Sequence, residues 1–245
     1  MEWWRKYFNS DYLKLYKHDE GQSSKEADAV VRMLQCEPGD SLLDLACGFG
    51  RHSVLLAQKG FLVTGYDLSE GFLKRAREMS EILKVNVDWI QGDMRNIQFD
   101  SEFDVVINMF TAFGFFEREE DDLTVLKGVH KALKPGGQFL MDVINREYAV
   151  KNLTSRRWSN ENETYMLEEG VFDFFRSRLE INHCLISPDG TKREANYSFR
   201  LYTLTEMLEL FKQTGLVLTD VYGDFNGEQY GSLSPRMIMV AQRED

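Results

Sequence analysis

The chain has 245 residues, enough for one sizeable α/β unit with a small appendage and a substantial buried core. Its 40 acidic against 29 basic residues leave a formal charge of −11, which opposes the counterion release that nucleic-acid binders rely on and so disfavours DNA and RNA as partners. Cys36, Cys47 and Cys184 form no Cys-x-x-Cys pair, the longest apolar runs are strand-length, and MEWWRKYF lacks a signal-peptide core; neither a disulfide framework nor a zinc site is indicated, and a soluble, unexported, cytoplasmic protein is expected.

Residues 1–40 read as an N-terminal helical cap. Trp4, Phe8, Tyr12 and Tyr16 recur at four-residue spacing, Ala27 to Leu34 continue as a helix, and Glu37-Pro38-Gly39-Asp40 makes a turn. Ser41 to Ser53, SLLDLACGFGRHS, is the organising stretch. Leu42, Leu43 and Leu45 surround Asp44 in a buried strand, Gly48 and Gly50 turn the chain, and Val54, Leu55 and Ala57 resume at helical spacing after Arg51. A strand, a glycine turn and a helix N-terminus in succession make a place to hold a nucleotide-type cofactor. Phe61 to Tyr66 is a second strand that delivers Asp67, where a carboxylate can accept both ribose hydroxyls of an adenosine.

Ser69 caps the next helix, and Val85 to Gln91 forms a third strand ending in Gly92-Asp93-Met94. Phe103 to Met109 is a central strand whose carboxyl end, with Asn108, stands where open α/β sheets bind ligands; Thr111 to Phe116, TAFGFF, adds an aromatic surface beside it. A helix opens with Glu119, Glu120, Asp121 and Asp122, and Pro135-Gly136-Gly137 stops it before a fifth strand, Gln138 to Val143. Residues 146–202 leave the alternating rhythm. Glu163 to Glu169, Val171 to Ile186 and Glu194 to Tyr202 read as three antiparallel strands of an inserted lid. His183 lies on the apolar parity of the second, as a general-base candidate or as a hydrogen-bonded buried histidine. A helix from Thr203 or Thr205 to Gly215 and strands Leu216 to Tyr222 and Arg236 to Ala241 complete the chain.

Asp44-Leu45-Ala46-Cys47-Gly48-Phe49-Gly50 resembles the first motif of the class I S-adenosylmethionine-dependent methyltransferases, acidic-x-Gly-x-Gly-x-Gly, with Ala46 in place of the first glycine. LKPGG followed by FLMDV is similar to the same family. The resemblance implies a Rossmann-like α/β fold: a seven-stranded sheet with helices on both faces, the last strand inserted antiparallel, built from residues 41–145 and 203–245, with 146–202 as a small antiparallel β insertion that shapes the substrate chamber. It implies S-adenosyl-L-methionine as cofactor, Asp44 supporting the turn and the amino end of the methionine moiety, Ala46, Gly48 and Gly50 giving close approach, Asp67 and Leu68 at the ribose, and Asp93 and Met94 at the adenine. Arg51 is placed to reach the cofactor carboxylate, Asn108 stands at the next strand tip, and Tyr12 or Tyr16 belongs to a lid closing the methionine end. The expected activity is in-line methyl transfer to a nitrogen or oxygen of a small-molecule acceptor, by a monomer or homodimer. A nicotinamide-dependent oxidoreductase and a non-catalytic nucleoside-binding module are the rival readings.

Overall fold

The computed structural model describes residues 20–161 and 163–244; the expected aromatic cap over Trp4, Phe8, Tyr12 and Tyr16 lies outside the described residues. Helix α1 (Glu20–Leu34) leads into β1 (Ser41–Leu45), α2 (Arg51–Gln58), β2 (Leu62–Asp67), α3 (Glu70–Leu83), β3 (Val87–Gln91) and β4 (Phe103–Asn108). Then follow α4 (Glu119–Ala132), β5 (Leu133–Ile144), α5 (Arg146–Lys151), β6 (Arg156–Glu161), β7 (Thr164–Asp173), β8 (Arg178–Ile186), β9 (Lys192–Arg200), α6 (Leu204–Thr214), β10 (Leu216–Tyr222) and β11 (Arg236–Arg243).

The seven-stranded sheet has the order β10-β11-β5-β4-β1-β2-β3. Strands β1 to β5 pair in parallel, and β11 runs antiparallel between β5 and β10. Strand order therefore reverses at β1, with β2 on one side and β4 on the other, and a crevice opens at the carboxyl ends there. Alternation along β1 divides the core: Leu43 and Leu45 face the cluster under α4 and α6, whereas Leu42 faces the cluster under α1 and α2. All three leucines are fully buried. At about 1.5–3 kcal/mol each, their burial outweighs a cost of several kcal/mol for keeping the Asp44 carboxyl in the same strand out of water.

Local chemistry sets the element ends. Ser69 caps α3 by accepting the Phe72 amide, and Thr203 and Glu206 form a reciprocal capping box at the start of α6, which ends at a left-handed Gly215. Helix α4 stops at Ala132 and β5 begins at Leu133, so Pro135-Gly136-Gly137 lies inside the strand, where the pairing with β4 shifts register between Phe103 and Val105, instead of separating helix from strand.

The second sheet, β6-β7-β8-β9, is antiparallel throughout and corrects the three-strand expectation. Val171 to Ile186 is not one strand. The Asp173 carboxylate accepts the Phe175 and Arg176 amides and Ser177 takes φ 53°, closing a turn between β7 and β8 without glycine or proline to advertise it. Strand β6 and helix α5, the latter capped by Asn145, were not anticipated, because RRWSNE is too polar and REYAVK too short to show a period. Phe172, Leu179, Ile181 and Phe199 anchor this sheet against Phe115, Val150 and Leu153.

Candidate active site

After β1 the chain turns at Ala46 and Gly48, both with positive φ, and Ala46 and Cys47 donate their amides to the Tyr66 carbonyl. The loop is thus tied to the tip of β2. Asp67 then accepts the Gly48 amide on Oδ2 and the Ser69 amide on Oδ1, both at 2.8 Å. Burial pushes the Asp67 carboxyl up to about 6 against the pull of these amides. Gly50 serves a different purpose: it has φ 78°, and a Cβ there would come within 2.3 Å of the Trp89 ring, which lies across the turn from β3.

A cavity of about 560 Å³ opens over these tips. Of the residues expected from sequence, Asp44, Ala46, Gly48, Arg51, Asp67, Leu68, Asp93 and Met94 line it. Gly50 does not line it, and Tyr16 lies outside the described residues. Asn108 does not line it: fully buried, it donates from Nδ2 to the Leu45 carbonyl at 2.9 Å and stitches β4 to β1 behind the wall. Asp93 lines the cavity while its carboxylate also holds Arg95, Oδ2 accepting at 2.7 Å.

His183 does not line this cavity either. It is buried on the face of the small sheet that carries Leu179 and Ile181, its Nε2 bonded to the Glu168 carboxylate, which also pairs with Arg157. Burial would raise the Glu168 carboxyl, but His183 and Arg157 hold it below its ordinary range. The Tyr197 ring packs edge-on against His183 at 5.1 Å.

Sequence reasoning missed the groups that hold the cavity's basic side chains. Glu26 of α1, 4% exposed, receives Arg51 and, at 2.8 Å, His52 Nε2. Burial would raise this carboxyl, yet His52 and Arg51 bring it down to about 2. Arg51 Nη1 also reaches Ser23 Oγ at 2.9 Å, whereas Nη2 is buried with no partner among the described residues. A buried guanidinium with one unanswered N–H edge is a ready site for a carboxylate.

On the β4 side, Phe110 and Thr111 both have left-handed backbone, φ 61° and 60°. Asp142, fully buried on β5, fixes them: its Oδ2 accepts the Phe110 amide at 2.8 Å, and its carbonyl accepts the Thr111 amide at 2.9 Å. Arg236 from β11 completes the clamp, with Nε to Asp142 Oδ1 at 2.6 Å and Nη2 to Thr111 Oγ1 at 3.0 Å. The following loop is tied to the small sheet, since Arg200 donates its amide to the Gly114 carbonyl and Arg178 Nη1 donates to the Phe116 carbonyl, each at 2.8 Å. Any Cβ on Gly114 would sit 2.5 Å from the Arg200 carbonyl oxygen. The lone charge in FLMDV and the arginine opening the last strand were the available signals for the Asp142–Arg236 clamp.

These residues fit a nucleoside with an amino-acid tail. Asp67 retains acceptor capacity beyond its two amides, Arg51 retains a free donor edge, and Ala46 and Gly48 of the turn between them line the same cavity.

Residues 42–137 match the family model described as a methyltransferase domain. The cypemycin N-terminal methyltransferase of Streptomyces sp. is 28% identical over 210 residues, covering 84% of each chain. Among solved structures, the CcbJ methyltransferase of Streptomyces caelestis superposes with TM-score 0.83 at 19% identity, covering 100% of this chain and 97% of that one. The S-adenosylmethionine-bound amino pentose methyltransferase CalS10 of Micromonospora echinaspora gives 0.69 at 20% identity, over 96% and 95%. No helix of the described residues is long and apolar enough to cross a membrane.

Proposed function

Because the chain is a class I S-adenosylmethionine-dependent methyltransferase, we propose that it methylates a nitrogen or oxygen of a small-molecule acceptor inside the cavity over the β1, β2 and β4 tips. The observation that carries this reading is the division of one cavity into a wall from β1–β3 that carries the charged side chains and a wall from the β4 tip, with Phe110, Phe115 and Phe116, that carries none. The first suits a nucleoside, the second an organic acceptor. When bound, S-adenosylmethionine supplies a methyl group on a sulfonium, open to in-line displacement.

In this reading Asp67 accepts from the ribose hydroxyls, Asp93 and Met94 meet the adenine, and the free edge of Arg51 takes the carboxylate of the methionine tail. Tyr16 is retained as an expected lid residue. Alignment in a dry cavity can lower a barrier by about 7–11 kcal/mol, whereas proton removal by a side chain adds roughly a hundred- to ten-thousand-fold in rate, or about 3–5 kcal/mol. Positioning is the larger lever. With His183 committed to Glu168 away from the cavity lining, we assign it to holding the lid sheet together instead of to proton transfer. The relatives' acceptors, a peptide N-terminus and an amino pentose by their names, support a nitrogen or oxygen nucleophile of modest size. The test is release of S-adenosylhomocysteine from S-adenosylmethionine in the presence of pooled small metabolites. Acceptor-dependent release is expected; none from any pool, despite tight donor binding, would support a regulatory binding module instead.

A further inference from the structure

The acceptor wall of the cavity differs from the donor wall in a way that points to a substrate class. Phe110 is the outlier. It lies 51% exposed at the mouth of an otherwise buried strand tip, and it and Thr111 occupy the left-handed region, a conformation that a β-branched threonine rarely adopts. Such a conformation persists only where its surroundings over-determine it, and Asp142, Arg236 and the Ile144 amide, which donates to Thr111 Oγ1 at 3.0 Å, do so. The outcome of that strain is an aromatic ring held out into the cavity.

Two anchored cations flank the ring. The guanidinium carbon of Arg51 lies 4.7 Å from the Phe110 ring centre and that of Arg236 lies 5.7 Å away. Their counter-ions, Glu26 and Asp142, are both buried and engaged. The cavity's remaining acids, Asp44, Asp67, Glu70 and Asp93, belong to the β1–β3 half, and the lining between Met109 and Phe116 contributes none. Among the described residues an ammonium-bearing acceptor would therefore meet no free carboxylate at this end. A flat, uncharged ring bearing a hydroxyl would stack on the apolar surface that Phe110, Phe115 and Phe116 line.

Resting on the methyltransferase reading, we propose that Phe110 is the specificity-determining residue of the acceptor chamber, a platform for the ring of a phenolic acceptor methylated on oxygen. In that reaction the hydroxyl proton leaves to solvent, an oxygen lone pair forms the O–CH3 bond, and the electrons of the breaking S–CH3 bond return to sulfur.

The experiment uses the full chain saturated with S-adenosylhomocysteine and titrates 2-naphthol against glucosamine by calorimetry. Saturable binding of 2-naphthol is expected, and none of glucosamine. Phe110→Ala should weaken 2-naphthol about tenfold or more, and Phe110→Tyr should restore it. Affinity for S-adenosylhomocysteine should stay within about threefold in both variants, because Glu26 and Ser23 hold Arg51 independently of the ring, and this affinity also reports that each variant is folded. Preference for glucosamine, or 2-naphthol affinity indifferent to Phe110→Ala, overturns the assignment while donor binding leaves the methyltransferase reading standing. Failure of the wild-type chain to bind S-adenosylhomocysteine would overturn both.

Discussion

The donor cradle and the small antiparallel sheet, which we propose as a lid, hold themselves together by different means. From β1 to Ser69 the donors of the determining bonds are main-chain amides: Ala46 and Cys47 to the Tyr66 carbonyl, and Gly48 and Ser69 to the Asp67 carboxylate. In the lid the distinctive contacts are between side chains, Arg157 and His183 on Glu168, Arg178 on Ser198, and rings of Tyr197 and Phe199 stacked 6.2 Å apart. The lid also leaves Trp158, Phe174 and Phe175 exposed. Backbone recognition tolerates change in most side chains so long as the turn survives. A surface made by side chains can be rebuilt one residue at a time, so the cradle is the part suited to a common donor and the lid the part suited to a particular acceptor.

This contrast can be broken most severely at Glu26. Replacing it by alanine strands Arg51 and His52 in a buried site and should cost about 3–5 kcal/mol by chemical denaturation at neutral pH. The Glu26 carboxyl is held at about 2 against an ordinary 4.5, so its contribution is fully present above pH 4.5 and is lost as pH falls toward 2. The gap between wild type and a Glu26→Gln variant should close over that window. A gap that does not change with pH would mean that the ion pair is not what stabilises α1 against α2.

Asp122 probes the seam between the two regions. Its carboxylate, 1% exposed, accepts from Tyr202 Oη at 2.7 Å, and burial pushes it up to about 7 despite that bond. Between pH 4 and 7 the folded chain keeps a proton that the unfolded chain has released, so raising the pH opposes folding. Asp122→Asn keeps an acceptor for Tyr202 without the charge and should remove on the order of 2–4 kcal/mol of that loss, read as denaturation midpoints at pH 4 and pH 8. Equal pH slopes in the two proteins would contradict it.

The smallest effect belongs to the lid itself. His183→Asn should lower stability by about 1–2 kcal/mol through the lost bond to Glu168, while affinity for S-adenosylhomocysteine stays within about twofold. Weakened donor affinity would show that lid and cradle are not separable in this way.

The same division explains what could be read in the sequence. The cradle was legible because its requirements are local: an apolar strand, residues that accept positive φ, a helix start, and an acid at the end of the next strand, all within Ser41 to Asp67. The parallel order and the inserted last strand followed from the resemblance to a known family. The β7–β8 turn escaped notice because Asp173 closes it in a run of aromatics that favour strand, and Gly170, which looks like a break, sits inside β7 with its missing side chain facing Leu153. Asn108 was placed on the correct strand and His183 in a strand, though one expected too long, yet which wall a side chain reaches depends on contacts 63 and 15 residues away in sequence, with Leu45 and Glu168. The clamp on Phe110 joins positions 142 and 236, and no periodicity connects them.

The claim on which the rest depends is that Asp67 grips a methionine-derived nucleoside over the strand tips. Calorimetric titration of S-adenosylhomocysteine into wild type and Asp67→Ala at neutral pH tests it, with NADH as the competing ligand. Saturable binding of S-adenosylhomocysteine, weakened by about 1.5–3 kcal/mol in the variant, and no binding of NADH is the predicted result. Undiminished affinity in Asp67→Ala, or binding of NADH alone, would contradict it.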